Sequence, residues 1–142
     1  MKIRLKNALF SVLFLGAFQG FSQTISLQLS DAQVLNRVTE VYGHDFVTQN
    51  PSLLESMGEL LNERITLATS VQSADEKYPV LSSYPLVNKL NPSIQGADFE
   101  NFDLQEFNPL VYHFEFFSDK IQVMRIDNTN YIMIVNPIIT TN

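Results

Sequence analysis

Residues 107–137, FNPLVYHFEFFSDKIQVMRIDNTNYIMIVNP, constrain the fold more than any other part of the chain. Within 111–117, Tyr112, Phe114 and Phe116 alternate with His113 and Glu115, which is the period of a strand with one buried face. Residues 121–126 and 131–135 follow, both rich in β-branched and aromatic side chains. Ser118-Asp119-Lys120 and Asp127-Asn128-Thr129-Asn130 supply turn chemistry between the three runs. Links this short join antiparallel neighbours, because a parallel pair needs a long crossover. The pattern predicts a three-stranded C-terminal meander on which the rest of the chain packs.

What packs on it is predicted to be helical. Ser30 and Gln33 have the spacing of a capping box, and Val34, Leu35, Val38, Val41 and Tyr42 recur at helical spacing until Gly43. His44 and Asp45 then fall in a connection. A second helix is expected from Asn50-Pro51, with Asn as the cap and Pro in the first turn. Leu53, Leu54, Met57, Leu60 and Leu61 would form its buried face, and Glu55, Glu59 and Glu63 its wet one. Gly58 in its interior costs about 1 kcal/mol relative to alanine, so packing must hold that helix. Residues 64–72 alternate again and read as a strand, with a polar turn at 73–76; residues 24–29 read as an edge strand or a frayed start. The expected fold class is therefore α+β: two N-terminal helices packed on one face of an antiparallel sheet, with the C-terminal meander as its main part.

The first 22 residues read as an address. Lys2, Arg4 and Lys6 precede an uncharged apolar run at 8–18, and Gly20-Phe21-Ser22 places small residues where a signal peptidase reads, with cleavage before Gln23. Eleven apolar residues are too few to span a bilayer, which takes roughly 20. The expected division is a signal peptide at 1–22 and one domain at 23–142, exported to the periplasm or the periplasmic face of the outer membrane, or secreted. No integral span is expected after cleavage. There is no cysteine, which excludes disulfides, thiolate chemistry and a lipid anchor on an N-terminal cysteine. Beyond residue 22 the chain has six basic and fifteen acidic residues, a net of −9. That charge disfavours nucleic acid and anionic lipid as partners.

Residues 77–109 are irregular in pattern and hold Pro79, Pro85, Pro92 and Pro109, with one helical turn expected at 86–90. All six prolines of the chain follow Asn or Tyr, and the residue before proline is held to extended geometry. At 96–106, GADFENFDLQE, the acids Asp98, Glu100, Asp103 and Glu106 interleave with Phe99 and Phe102. A loop of this length in a compact domain is usually functional or partly disordered. The bland reading is a solvated loop pinned by Phe99, Phe102 and Phe107. The sharper one is a docking segment for a protein partner of the cell envelope, with the rings carrying affinity and the acids steering the encounter. A calcium loop is disfavoured, because the ligand order and the glycine at the bend are missing.

No catalytic motif is present: there is no G-x-S-x-G elbow, no H-E-x-x-H pair, no Walker loop and no G-x-G-x-x-G. No cofactor is expected. An enzymatic alternative must use His44 or His113, the only histidines, with Asp45 or Glu115 close by in sequence, as a small hydrolase or metal site. A second alternative is a small-molecule binder on the aromatic sheet face formed by Tyr112, Phe114 and Phe116.

The run KYPVLSSYPLVNKLNPS and the ending RIDNTNYIMIVNP resemble small exported proteins of unknown function in flavobacteria, and the leader ending FSQ resembles signal peptides of Bacteroidota. The resemblance implies an accessory role beside the type IX secretion and gliding apparatus of such bacteria. The chain does not resemble a cargo of that system, being short and lacking the usual terminal lysine pattern. The expectation is a non-enzymatic periplasmic binding or scaffold subunit associated with an outer-membrane assembly.

Overall fold

The computed structural model describes residues 21–70 and 77–139. Most of the expected leader, the polar turn at 73–76 and the last three residues lie outside the described residues. Strand β1 (Phe21–Ser26) leads into helix α1 (Asp31–Tyr42), a short α2 (His44–Gln49) and α3 (Pro51–Glu59). A π-helical turn at Leu60–Arg64 then opens directly into β2 (Ile65–Ser70). After an irregular stretch with 3-10 turns at Leu81–Ser83 and Pro109–Val111, the hairpin β3 (Gln122–Arg125) and β4 (Tyr131–Val135) closes the fold. The sheet has four antiparallel strands in the order β1-β2-β4-β3, and the α+β class is the one the sequence predicts.

Register places the core. Ile25 lies opposite Leu67, Leu67 opposite Met133, and Met133 opposite Met124, so one row of apolar side chains crosses the whole sheet. That row joins Val34, Val38 and Val41 of α1, Val47 of α2 and Met57 of α3 in the main core, so the helices cover this face. The opposite face has a smaller cluster of Ala68, Ile132 and Ile134, with Tyr78, Ile121 and Val123 against it. The β1–β2 register shifts between Phe21 and Gln23, so regular pairing begins at the residue expected to start the mature chain.

Local signals explain the helix ends. Ser30 Oγ accepts from the Gln33 amide at 3.3 Å, and the Gln33 side chain accepts from the Ser30 amide at 2.9 Å, which completes the capping box. Gly43 ends α1 at φ 82 and ψ 152, a backbone region closed to side chains with a Cβ. Two expectations need correction here. His44 and Asp45 do not sit in a connection; they open α2. Asn50 does not cap α3 with its oxygen; its amide Nδ2 donates back to the Phe46 carbonyl at 2.8 Å and closes the end of α2 instead. Pro51 does occupy the first turn of α3. The π turn (Ile65 amide to Leu60 carbonyl) widens the last turn by one residue, and Leu60 and Leu61 are both fully buried. Asn62 beside them grips Leu29, accepting from its amide at 2.7 Å and donating to its carbonyl at 3.1 Å. That clamp steadies the β1–α1 link, where Gln28 takes a positive φ of 48.

The largest correction concerns residues 111–117, which do not form the first strand of a meander. The C-terminal unit is a two-stranded hairpin, and the neighbour of β4 on its other side is β2. Residues 111–113 pair instead with the proline-marked stretch: Leu86 bridges Tyr112, the Val87 amide donates to the Val111 carbonyl at 2.7 Å, and the His113 amide donates to the Pro85 carbonyl at 2.8 Å. The helical turn expected at 86–90 is absent for the same reason, since Val87 spends its amide across the chain. Pro79 works like Pro85, its carbonyl accepting from the Arg125 amide at 2.8 Å beside a parallel bridge from Val80 to Arg125. A proline has no N–H to give a ladder, so both sit where only an acceptor is needed. Two of the Asn-Pro pairs do something different. Asn91 and Asn108 each accept from the amide two residues on, at Ser93 and Leu110, which folds the chain around the proline.

One buried atom has no such partner. The Thr39 hydroxyl of α1 is buried without a hydrogen bond among the described residues. An unpaired buried polar group costs roughly 1–3 kcal/mol. Thr39→Val, which keeps the shape and removes the hydroxyl, is expected to raise stability by about 1 kcal/mol in urea titration; a loss of stability would mean that the hydroxyl is satisfied.

Candidate functional site

The acidic loop at 96–106 is fastened to the body at several points. Its entry rests on Tyr112: the Ala97 amide donates to the Tyr112 hydroxyl at 2.8 Å, and a Cβ on Gly96 would lie 3.0 Å from that oxygen. A side chain at Gly96 would therefore press on the Tyr112 hydroxyl and push it aside by a few tenths of an ångström. Asp98 then organises a tight turn. Its carboxylate accepts from the amides of Glu100 and Asn101 at 3.0 and 3.1 Å and from the Asn101 side chain at 3.1 Å. Those bonds, the Asn101 side chain first, hold the Asp98 carboxyl below its ordinary range. Asp103 repeats the turn on a smaller scale, accepting from the Gln105 amide at 2.8 Å.

The two phenylalanines of the loop point inward. Phe99 and Phe102 are half-buried against the main core, and the Phe102 ring lies 5.2 Å from Phe107 and 5.9 Å from Tyr131. This is the arrangement of the bland reading, in which the rings pin the loop to the body. Asp98, Glu100, Asp103 and Glu106 are exposed. Of the six residues singled out from sequence, the structure thus brings the four acids to the surface and draws the two rings into the body.

The far end of the loop is held by a residue that sequence reasoning overlooked. Arg37 of α1 is only 7% exposed, and Asn108 is buried beside it. The Arg37 guanidinium donates to the Phe107 carbonyl at 2.9 Å and to the carbonyl of Gln105. The Asn108 amide returns to α1, donating to the Arg37 carbonyl at 3.0 Å and to Glu40 Oε2 at 2.8 Å. Asn91 reaches the same helix, donating to the Glu40 carbonyl at 2.8 Å. Burial lowers the Arg37 pKa and the carboxylates of Glu106 and Glu40 oppose that, but a guanidinium stays charged throughout. The signal was legible in principle: Arg37 lies three residues after Val34 and four before Val41, on the apolar stripe.

The other predicted sites are dispersed. His44 and Asp45 are exposed at the start of α2, and His113 and Glu115 are exposed on the extended segment after the second 3-10 turn. Among the described residues no group of three or more His, Asp or Glu side chains is placed to hold a metal ion. The expected aromatic sheet face is not a sheet face. Tyr112 and Phe114 are buried off the sheet, with Phe114 packed 4.7 Å from Tyr84 and 5.4 Å from Phe116. Burial raises the phenols of Tyr42, Tyr84 and Tyr112 above 10.0. The sign of the consequence is fixed. Between the ordinary value and the raised ones the unfolded chain has released protons that the folded chain keeps, so stability falls as pH rises through that window. Urea midpoints are expected to hold steady up to about pH 9 and to drop by about pH 11; a flat profile across that range would contradict the burial of these rings.

Fold and site together define a small α+β domain with an anchored acidic loop on its surface. Among the described residues no helix is long and apolar enough to cross a membrane. Comparison with protein-family models, curated proteins and solved structures gave no match.

Proposed function

We propose that this chain is a non-enzymatic binding or scaffold subunit, exported to the periplasm, that docks onto a cell-envelope assembly through its acidic loop. The observation that supports this reading is the loop itself: four exposed carboxylates on a backbone fixed by Tyr112, Arg37 and two half-buried rings. A surface held in one conformation before binding loses little conformational freedom on association, so more of its interaction energy is left as affinity. Its charge, on a chain already acidic, selects a basic partner surface and speeds encounter with it. In this reading Asp98, Glu100, Asp103 and Glu106 meet the partner, while Phe99 and Phe102 keep them in place. Attachment to an outer-membrane assembly, as a type IX secretion or gliding accessory, rests on the flavobacterial resemblance of the proline-marked run and the C-terminal hairpin.

The test is recovery of a partner from detergent-solubilised envelopes with the tagged chain. Reversing the four loop charges to lysine is expected to reduce recovery at least about tenfold, a difference of about 1.4 kcal/mol, and added salt is expected to weaken the native complex. Asp98 and Asp103 also accept the amide hydrogen bonds of their turns, so the urea midpoint of this variant should fall. Asp98→Asn with Asp103→Asn, which keeps an acceptor oxygen and removes the charge, should leave the midpoint closer to the parent's and still reduce recovery. Undiminished recovery by the reversed loop would place the interaction elsewhere, and a chain that emerges alone would end the reading.

A further inference from the structure

We draw no further inference here: the strongest candidate, the outer edge of β1, is uncharged and free of proline where the opposite sheet edge is flanked by Val80 beside Pro79, but the chain preceding it lies outside the described residues and nothing in the structure shows what covers it.

Discussion

Replacing Phe114 by alanine is expected to lower folding stability by about 3–5 kcal/mol, the usual cost of deleting a buried aromatic ring. The ring is 8% exposed and stands at the centre of a group, with Tyr84 at 4.7 Å, Phe116 at 5.4 Å and Tyr112 at 6.0 Å between centroids. The Tyr84 and Phe116 pairs are edge-on and the Tyr112 pair is stacked; such pairs add about 0.5–1.5 kcal/mol each beyond the area they bury. The backbone around Phe114 belongs to no regular strand, so these contacts add to the short pairing of residues 111–113 with Pro85, Leu86 and Val87 in holding the segment. A domain of this size has a total stability of about 5–15 kcal/mol, so the variant should unfold at far lower urea or fail to fold. Phe114→Leu, which keeps most of the volume, should cost less than about 2 kcal/mol and remain measurable in either case. Unfolding followed by far-ultraviolet circular dichroism reads both. A loss under about 1 kcal/mol for the alanine variant would show that the ring is not part of the core.

The second large effect is expected at Arg37. Arg37→Leu should cost about 2–4 kcal/mol, because it strands the carbonyls of Gln105 and Phe107, each an acceptor that the guanidinium now satisfies. It also leaves Glu40 and Glu106 without the positive charge that faces them. Arg37→Lys should recover only part of the loss, since one ammonium cannot reproduce the fork that reaches two carbonyls. A change in overall stability alone would not locate the effect, so amide hydrogen exchange is the sharper measurement. Protection of the Ala97 and Gln105 amides should fall in the leucine variant more than protection of β2 and β4. A stability unchanged by Arg37→Leu would mean that the cost of dehydrating the guanidinium cancels its bonds, as it does in some buried ion pairs.

The two predictions together bear on why a long irregular segment can be orderly. Residues 77–109 contain little regular structure, yet they are tied to α1 through Asn91, Asn108 and Arg37, to the extended stretch through Leu86 and Val87, and to β3 through Pro79. Each tie satisfies a backbone or amide group that would otherwise need water. The acidic side chains between those ties are exposed, and those of Asp98 and Asp103 also accept the amides of their own turns. The docking hypothesis therefore depends on Arg37 as much as on the carboxylates, and a loosened loop in Arg37→Leu should bind the same envelope partner more weakly.

Much of this was readable without coordinates where the governing interactions are short in sequence. The capping box at Ser30 and Gln33, the glycine stop at Gly43, the stripe of Val34, Val38 and Val41, and the hairpin turn at 127–130 all depend on neighbours a few residues away. The α+β class follows from those periods. The acids of the loop were also correctly marked as exposed, since four carboxylates in eleven residues cannot all be buried at acceptable cost.

Only the tertiary structure decided what pairs with what. The alternation of Tyr112, His113, Phe114 and Glu115 gave the right buried and exposed sides, because the chain there is extended, yet it could not say which neighbour would take its amides. That choice fell to Pro85 and Leu86, not to β3, because the edges of the hairpin are occupied by β2 on one side and by the stretch at Tyr78 and Val80 on the other. That Phe99, Phe102 and Phe107 pin the loop was legible as a pattern, but the contact of Phe102 with Tyr131 was not, since the two lie far apart in the chain. Periodicity and capping are properties of a residue and its near neighbours. Pairing and burial are settled by contacts between segments far apart in the chain, which exist only once the whole body has closed.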